Sequence, residues 1–499
     1  MGGTLYVHTP GSSSDTWDAI VDLGFTGHSA CPPRRQPHMV LPSPDNELVA
    51  VSYTKDVFVH LLNSTTKKVV ACLESPRSDS LIHTGTWHVD ASNRLYFMMV
   101  DMTGSHGNQT GGGGLLLWSV DATPEGVEAQ LLDTLSVRMH SGGTTKPIAA
   151  YSNPYGDHAS VFAVTDAFGG LHFANVSDGE VVYLDTISQS VLGDSGGGLW
   201  IKPHPTDGDI VVAQYGKQEV DKSFLFAVNM RTLSLDRTFN LPSTAIDAHG
   251  IEFCRSETSG ALYMINTNRV SATLDILRYD TGAVVRTYDL DSLVSDSYAP
   301  RTTECVGSSE DDSVDSDVPR SPPAPSPPPY EFTMGRRRID DDNDTPAVSK
   351  RMMPDIAVMW GRVLYIVTRG RFPLSAVSPA NWFADAQAAV YSFDVAPDCE
   401  SISRDPVSSI NLSMLDARTT IEAADGHGMD LVNGTLWVID QSPTGKLVQT
   451  SSAGSLRVFE GVNLDLRSGT VHVPKPFIGF METAFNSTLM PNVVQPPTC

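Results

Sequence analysis

The chain of 499 residues carries 58 acidic and 34 basic side chains, which gives a formal net charge of −24 at pH 7. Nucleic-acid binding requires clustered lysines and arginines that neutralise phosphates, so this balance argues against a nucleic-acid partner. Hydrophobic residues make up 40% of the chain, yet no apolar run reaches the ~18 residues of a membrane span. The composition therefore favours a large folded protein whose partner is a metal ion, a small ligand or another protein.

Short apolar runs bounded by Gly, Pro, Asn or Asp recur along the chain, a pattern typical of strands joined by tight turns. The first complete unit begins at Pro37 and continues with strands over 47–52, 56–61 and 68–73. Similar strand triplets begin at six further positions: Leu95, Val161, Ile210, Leu262, Leu364 and Leu436. A repeat of roughly 40–50 residues with several strands is typical of propeller blades. The sequence predicts an all-β fold, a single β-propeller of seven blades, with eight blades as the alternative.

Two runs at the N-terminus, Thr4–His8 and Ala19–Leu23, lie outside these triplets. We expect them to form the outer part of the last blade and to close the ring. Their predicted partners are strands near Leu456–Phe459 or Val471–Val473, because no other strand-like run remains unassigned there.

A long interval separates the fifth and sixth triplets and contains residues 306–350, which are rich in Pro, Ser and acidic side chains. Such a composition offers little apolar surface for a core, so we predict a disordered insertion. Residues 1–305 would then hold blades 1 to 5 with the closing strands. Residues 351–499 would hold blades 6 and 7 and a C-terminal tail.

Six scattered cysteines and seven glycosylation sequons indicate the compartment. The cysteines form no C-x-x-C pair, so a cysteine zinc site is not predicted, and an even set fits occasional disulfides as well as buried free thiols. The sequons begin at Asn63, Asn108, Asn175, Asn343, Asn411, Asn433 and Asn486. The N-terminus lacks the basic start and apolar core of a signal peptide, so the prediction of a secreted glycoprotein implies a processed leader.

The first unit, with Pro37-His38 followed by Ser43-Pro44-Asp45, resembles the repeat of the YVTN-type, YncE-like propeller family. His249-Gly250-Ile251 and His427-Gly428-Met429 resemble the start of the same blade repeat. The chain also has a fainter similarity to periplasmic zinc-chaperone propellers, which place histidines and an acid in the central channel. Propellers serve many functions, so the resemblance implies a fold and not an activity.

The residues just before each innermost strand are expected to surround the mouth of the central channel. Histidine or aspartate occupies this position in all seven units: His38, His83, His140, Asp194, His249, Asp355 and His427. Several imidazoles with a carboxylate are the ligands that zinc and similar divalent ions prefer. We therefore predict a zinc-like site at the channel mouth. Asp247 and Asp425, each two residues ahead of a histidine, and Asp194 are candidates to orient the ligands from behind.

Each histidine taken singly has a simpler interpretation, since a histidine at the start of a strand often bonds to backbone or water. Two other functions also remain open. The same position could hold a metal-assisted lyase or hydrolase, such as a lactonase, that acts on a sugar-derived substrate. Alternatively, the chain could be a glycosylated adhesion or interaction scaffold that binds protein partners through its loops. The sequence assigns no catalytic residue.

Limited proteolysis tests the predicted insertion. A protease should cut first within residues 306–350, because a segment without a core is accessible to it. The two products should remain associated, since blades are held together by strand pairing and apolar stacking. Cleavage elsewhere, with this segment protected, would contradict the prediction.

Overall fold

A computed structural model of the protein describes about two thirds of its residues. These are residues 4–10, 19–23, 31–32, 37–53, 56–103, 113–123, 126–137, 145–193, 196–217, 223–294, 352–369, 388–412, 426–440, 446–450, 456–460, 463–465 and 470–472. The predicted insertion at 306–350 lies outside them. Within the described residues, seven four-stranded antiparallel sheets follow one another around a ring. The chain is a seven-bladed β-propeller, as the sequence predicts.

Blades 1 to 6 are each built from four consecutive strands, ordered from the channel outward. Blades 1 to 3 contain β3 (Pro37–Pro42), β4 (Leu48–Tyr53), β5 (Phe58–Asn63), β6 (Val69–Glu74), β7 (Ile82–Val89), β8 (Leu95–Asp101), β9 (Gly114–Thr123), β10 (Gly126–Ser136), β11 (Pro147–Tyr151), β12 (Val161–Asp166), β13 (Leu171–Ser177) and β14 (Glu180–Ile187). Blades 4 to 6 contain β15 (Gly197–Pro203), β16 (Ile210–Lys217), β17 (Phe224–Asn229), β18 (Ser234–Asn240), β19 (Ala248–Arg255), β20 (Leu262–Asn268), β21 (Thr273–Arg278), β22 (Val284–Asp289), β23 (Pro354–Trp360), β24 (Val363–Thr368), β25 (Ala389–Asp394) and β26 (Ser408–Asn411).

Blade 7 joins the two ends of the chain. Its inner strands are β27 (Gly426–Val432) and β28 (Thr435–Asp440), and its outer strands are β1 (Thr4–His8) and β2 (Ala19–Asp22). The prediction that the N-terminal strands complete the last blade is therefore confirmed.

The predicted partners of these strands were wrong. β1 pairs with β28, with Leu5 opposite Ile439 and Val7 opposite Trp437. β28 is paired with β27 on one side, and its other edge pairs with β1. This register buries both Leu5 and Val7. The two later regions form separate two-stranded sheets instead: β29 (Lys446–Thr450) with β30 (Leu456–Glu460), and β31 (Asn463–Asp465) with β32 (Thr470–His472).

The apolar core lies in layers between neighbouring blades. Between blades 7 and 1, for example, Leu5, Val7 and Trp437 pack against Val49 and Val51. Side-chain hydroxyls also link the blades near the channel, since Thr267 of β20 donates a hydrogen bond to the carbonyl of Asp355 in blade 6 at 2.7 Å. Neighbouring blades are thus held by buried apolar area and by polar contacts to the inner strands.

Two disulfides reinforce the ring. Cys31–Cys72 joins the segment after β2 to the outer strand of blade 1, and Cys254–Cys399 joins blade 5 to blade 6. Disulfides persist in oxidising compartments, so these two favour an extracytoplasmic environment.

Helix is scarce in the described part of the chain, where α1 (Gln189–Leu192) and α2 (Leu290–Leu293) are single turns. No described helix has the length and apolar character needed to cross a bilayer.

A repeated irregularity shapes the channel. In six of the seven blades, the first strand contains one extra residue near its start that has no partner on the second strand. A β-bulge of this kind re-aims a side chain and often lies at the rim of a closed sheet. The second residues of the inner strands are thereby released from regular pairing just where the strands approach the channel mouth.

Ring closure can be tested at Leu5, which is fully buried between β28 and blade 1. Leu5→Ala should lower the free energy of unfolding by about 2–5 kcal/mol, because it removes buried methyl groups and leaves a cavity. Val182→Ala, at a position that is 47% exposed on the outer strand of blade 3, is the control and should change it by less than about 0.5 kcal/mol. Equal effects in urea denaturation would show that the N-terminal strand adds nothing to the ring.

Candidate functional site

Five of the predicted channel residues converge on one layer, the His–Asp layer, defined as His38, His83, His249, Asp355 and His427. Each is the second residue of its inner strand, in blades 1, 2, 5, 6 and 7. In blade 3 this position holds Ile148, and in blade 4 it holds Gly198. The bulges aim these side chains at one another from different blades, so residues far apart in sequence become neighbours.

Asp355 lies at the centre of the layer and is fully buried. Its Oδ1 lies 2.9 Å from Nε2 of His249, and its Oδ2 lies 2.5 Å from Nδ1 of His427. One donor atom from each of these three residues lies within 4.8 Å of the others. These are the only three residues in the described part of the chain that form such a group of possible metal ligands.

His427 extends the network to blade 1. Its Nε2 lies 3.3 Å from Nε2 of His38, and the two rings stack with centroids 4.1 Å apart. When Nδ1 of His427 donates a hydrogen bond to Asp355, Nε2 of that neutral ring accepts a hydrogen bond from Nε2 of His38. Nδ1 of His38 is then buried without a hydrogen-bond partner. The His38 ring also meets His83 edge-on at 4.3 Å.

Two buried arginines belong to the layer and were not predicted from the sequence. Nη1 of Arg369 donates to Oδ2 of Asp355 at 3.1 Å, and Nη1 of Arg269 lies 3.1 Å from Nε2 of His249. Both arginines follow the last residue of the second strand, in blades 6 and 5. Aligning Asn268-Arg269 with Thr368-Arg369 as one repeat position would have found them.

Asp247 supports His249 from behind, as the sequence analysis expected. Its Oδ1 lies 3.5 Å from Nδ1 of His249, and its Oδ2 accepts a hydrogen bond from Nε of Arg269 at 2.7 Å. Asp247 has a φ of 63°, in the left-handed region that non-glycine residues rarely adopt. Strain of this kind is often found where a side chain must point in one direction for a function.

Burial and charge set the protonation of the layer. Burial lowers the pKa of His427 to about 4 and the pKa of His38 well below its usual value, so both rings are neutral at pH 7. Burial alone would raise the pKa of Asp355, but His249 and His427 together bring it well below the usual value. The layer and its buried neighbours therefore contain two carboxylates and two guanidiniums whose charges balance, together with the neutral imidazoles of His38 and His427.

Most of the layer is buried. His38, His249, Asp355 and His427 are buried, and His83 is half-buried. The indole of Trp200, on the inner strand of blade 4, lies near two of these rings, with its centroid 6.0 Å from the His83 ring and 6.5 Å from the His249 ring.

The glycine after the channel histidine has a packing role. A Cβ at Gly250 would lie 2.6 Å from the carbonyl oxygen of Asp355, and a Cβ at Gly428 would lie 2.3 Å from that of His38. Each glycine therefore lets the inner strand of the next blade approach closely. The His-Gly pair brings its imidazole within reach of the neighbouring blade.

Three predicted residues cannot be placed. His140, Asp194 and Asp425 lie outside the described residues, so their roles as a ligand and as supporting groups stay predictions.

No protein-family model matches the chain, and no curated protein matches it. It is similar in shape to a chain of the mitotic checkpoint complex, with 11% identity over 85% of this chain and 86% of that one, at a TM-score of 0.44. It is also similar to dihydro-heme d1 dehydrogenase NirN, with 10% identity, 91% and 72% coverage and a TM-score of 0.46. The Swd1 β-propeller domain of Myceliophteria thermophila shares 10% identity over 81% and 96%, at 0.43. Each likeness concerns the fold alone, and membership of the YVTN/YncE-like family is not shown.

The protonation of the layer predicts a pH dependence of stability. An unfolded histidine takes up a proton near pH 6.5, whereas His427 in the folded protein does so only near pH 4. The unfolded state therefore binds more protons between these values, and the free energy of unfolding falls as the pH falls. From pH 7 to pH 5, His427 should account for about 2 kcal/mol of that loss.

The comparison is urea denaturation at pH 7 and pH 5 for the wild type, His427→Gln and His158→Gln. His427→Gln should lose about 2 kcal/mol less than the wild type over this range. His158, whose side chain is 34% exposed, is the control and should behave as the wild type. An unchanged pH dependence in His427→Gln would mean that this imidazole is charged in the folded state.

Proposed function

We propose that the chain is a secreted β-propeller that binds a divalent metal ion, zinc in the first place, in its His–Asp layer. The observation that carries the proposal is the meeting of His249, Asp355 and His427 from three different blades, with one possible ligand atom of each within 4.8 Å of the others. Two imidazoles and a carboxylate form a ligand set that zinc accepts, with a fourth position left for a small ligand.

The hydrogen bonding of Asp355 supports an ion at this point. Its Oδ1 is buried and makes no hydrogen bond, although Nε2 of His249 is only 2.9 Å away. Buried polar atoms without partners are uncommon in folded proteins and need an explanation such as an absent ion. Tetrahedral zinc places its ligand atoms about 3.3 Å apart, so small side-chain rotations would suffice.

The arginines determine what else the ion needs. Asp247 and Asp355 already balance Arg269 and Arg369, and the neutral ring of His427 offsets none of the charge that a divalent ion adds. A buried site strongly disfavours such an excess. We therefore expect an anionic fourth ligand, such as hydroxide or a small carboxylate, beside the guanidiniums.

The burial of these ligands favours a metal centre over the enzyme alternative, because a sugar-derived substrate would need an open path to the ligands. Secretion is supported by the two disulfides and by the sequons. Asn63 is the half-buried last residue of β5, and its Oδ1 accepts hydrogen bonds from the backbone N–H groups of Thr65 and Thr66, so its amide nitrogen is the atom left for a glycan. The Nδ2 atom of Asn433, by contrast, donates to the carbonyl of Asn46 at 3.0 Å.

Metal analysis tests the proposal. Protein purified without chelating resins, or dialysed against zinc, should contain about one zinc per chain. The double variant His249→Ala with His427→Ala should contain none, because two of the three ligands are gone. Cobalt substitution should give the visible absorption of a four-coordinate ion in the wild type only.

The matched control is the double variant His158→Ala with His204→Ala, which removes two histidines outside the layer and should keep the metal. Circular dichroism must show folded protein in every case. A metal-free wild type whose zinc titration equals that of the layer variant would mean that the histidines only hold the blades together. The scaffold function would then be favoured.

A further inference from the structure

A second polar layer lies further along the channel and takes no part in the His–Asp layer. It consists of Tyr151, Lys202, Glu252 and Asp430, on the inner strands of blades 3, 4, 5 and 7. Glu252 and Asp430 each stand three residues after a channel histidine, in the sequences His-Gly-Ile-Glu and His-Gly-Met-Asp. The repeat that aims the imidazoles into the channel therefore aims these carboxylates one step deeper. We call this set the acidic layer.

The acidic layer combines one ion pair between neighbouring blades with electrostatic interactions across the channel. Nζ of Lys202 lies 2.5 Å from Oε1 of Glu252 in the next blade. Asp430 interacts electrostatically with Lys202 and with Tyr151, although blade 7 is three blades away from blade 4 and from blade 3. In a ring of seven blades, side chains so far apart in the ring reach one another only across the channel.

Asp430 and the Tyr151 hydroxyl can each accept further hydrogen bonds. Oδ1 of Asp430 accepts a hydrogen bond from the backbone N–H of Leu431 at 2.7 Å. Across the described ranges, no Lys, Arg or His nitrogen pairs with Asp430, and the Tyr151 hydroxyl makes no hydrogen bond. The Lys202 side chain is 38% exposed, so solvent reaches this part of the channel, in contrast to the His–Asp layer.

The charges define what the layer can bind. With Lys202 protonated and both carboxylates ionised, it carries one net negative charge. Burial alone would lower the pKa of Lys202, but Glu252 and Asp430 raise it, so the ammonium stays charged. A single added positive charge restores neutrality, whereas a divalent metal ion would leave the layer with one excess positive charge beside the ammonium of Lys202.

We propose that the acidic layer binds a small primary ammonium ion. Such an ion has three N–H donors, and Asp430, Glu252 and the Tyr151 hydroxyl offer three acceptors around the channel. Glu252 already holds the ammonium of Lys202 in this way, which shows that the layer suits the group. The exposed part of the Lys202 side chain marks the side from which such a ligand would enter. This site is independent of the metal proposed above.

Binding at this layer should depend on pH through Asp430. Burial raises the pKa of Asp430 to about 6, and Lys202 opposes the rise. The groups that act on it are Lys202 of β15, Glu252 of β19 and Tyr151 of β11. Protonation of Asp430 removes the net negative charge, so affinity should fall about tenfold from pH 7.5 to pH 5.

The experiment is a titration with n-butylammonium chloride followed by NMR saturation transfer, with n-butanol as the neutral probe of equal shape. The wild type should bind the ammonium saturably at pH 7.5 and the alcohol at least tenfold more weakly. Asp430→Asn should weaken ammonium binding about tenfold and abolish its dependence on pH. Asp157→Asn, which removes an exposed carboxylate from the β11–β12 turn near the same end of the channel, should match the wild type.

Equal binding by Asp430→Asn and the wild type, or equal binding of butanol and butylammonium, would overturn the proposal. Absence of saturable binding to the folded wild type would do the same. The double variant His249→Ala with His427→Ala, and added chelator, should leave butylammonium binding unchanged. These controls therefore distinguish a failure of the metal proposal from a failure of the ammonium proposal.

Discussion

The ladder between β1 and β28 joins the first strand of the chain to the last blade, and the geometry of the channel depends on it. An open row of blades would expose an apolar face at each end, because a blade cannot bury both of its faces alone. Closure places Leu5 and Val7 against Trp437 and blade 1. It also fixes seven inner strands around one axis, so side chains at equal positions in different blades are brought into contact.

The bulge at the start of the inner strands then determines which side chains come into contact in the channel. It turns the second residue of the strand toward the channel mouth, and the residue three positions later lines the next layer. His249 and Glu252, like His427 and Asp430, are two products of this one local geometry. The glycine after each histidine permits the close approach of the next blade. One repeated backbone feature thus produces a largely buried imidazole layer and an acidic layer in the same channel.

Several residues of the His–Asp layer compete for the two carboxylate oxygens of Asp355. Its two oxygens face His249, His427 and Arg369, and Arg269 lies 4.0 Å away. His249 and His427 hold the pKa of this buried carboxyl group well below its usual value, and a divalent metal must share the same oxygens with them and with Arg369. A carboxylate that serves arginines and imidazoles together suits a centre whose ion and anionic ligand arrive together. When no ion is bound, the hydrogen bonds and ion pairs of Asp355 would hold neighbouring blades together.

Much of the fold was predictable, because apolar runs between tight turns indicate the strands of the blades. The number of repeats then predicted the number of blades. The sequence also singled out His38, His83, His249 and His427, with Asp355, from their repeated position at the start of the innermost strands, and the structure brings these side chains together. The partners of β1 were not predicted, since several strand-like runs near the C-terminus have similar patterns and only packing of Leu5 and Val7 selects among them. Arg269, Arg369 and Trp200 were missed because their roles depend on which blades face one another. The sequence by itself determined the architecture and the positions that approach the channel, since both depend on short-range periodicity. Only the tertiary structure decided which of those side chains meet, how their charges balance and which layer water can enter, because these follow from closing the ring around a narrow axis.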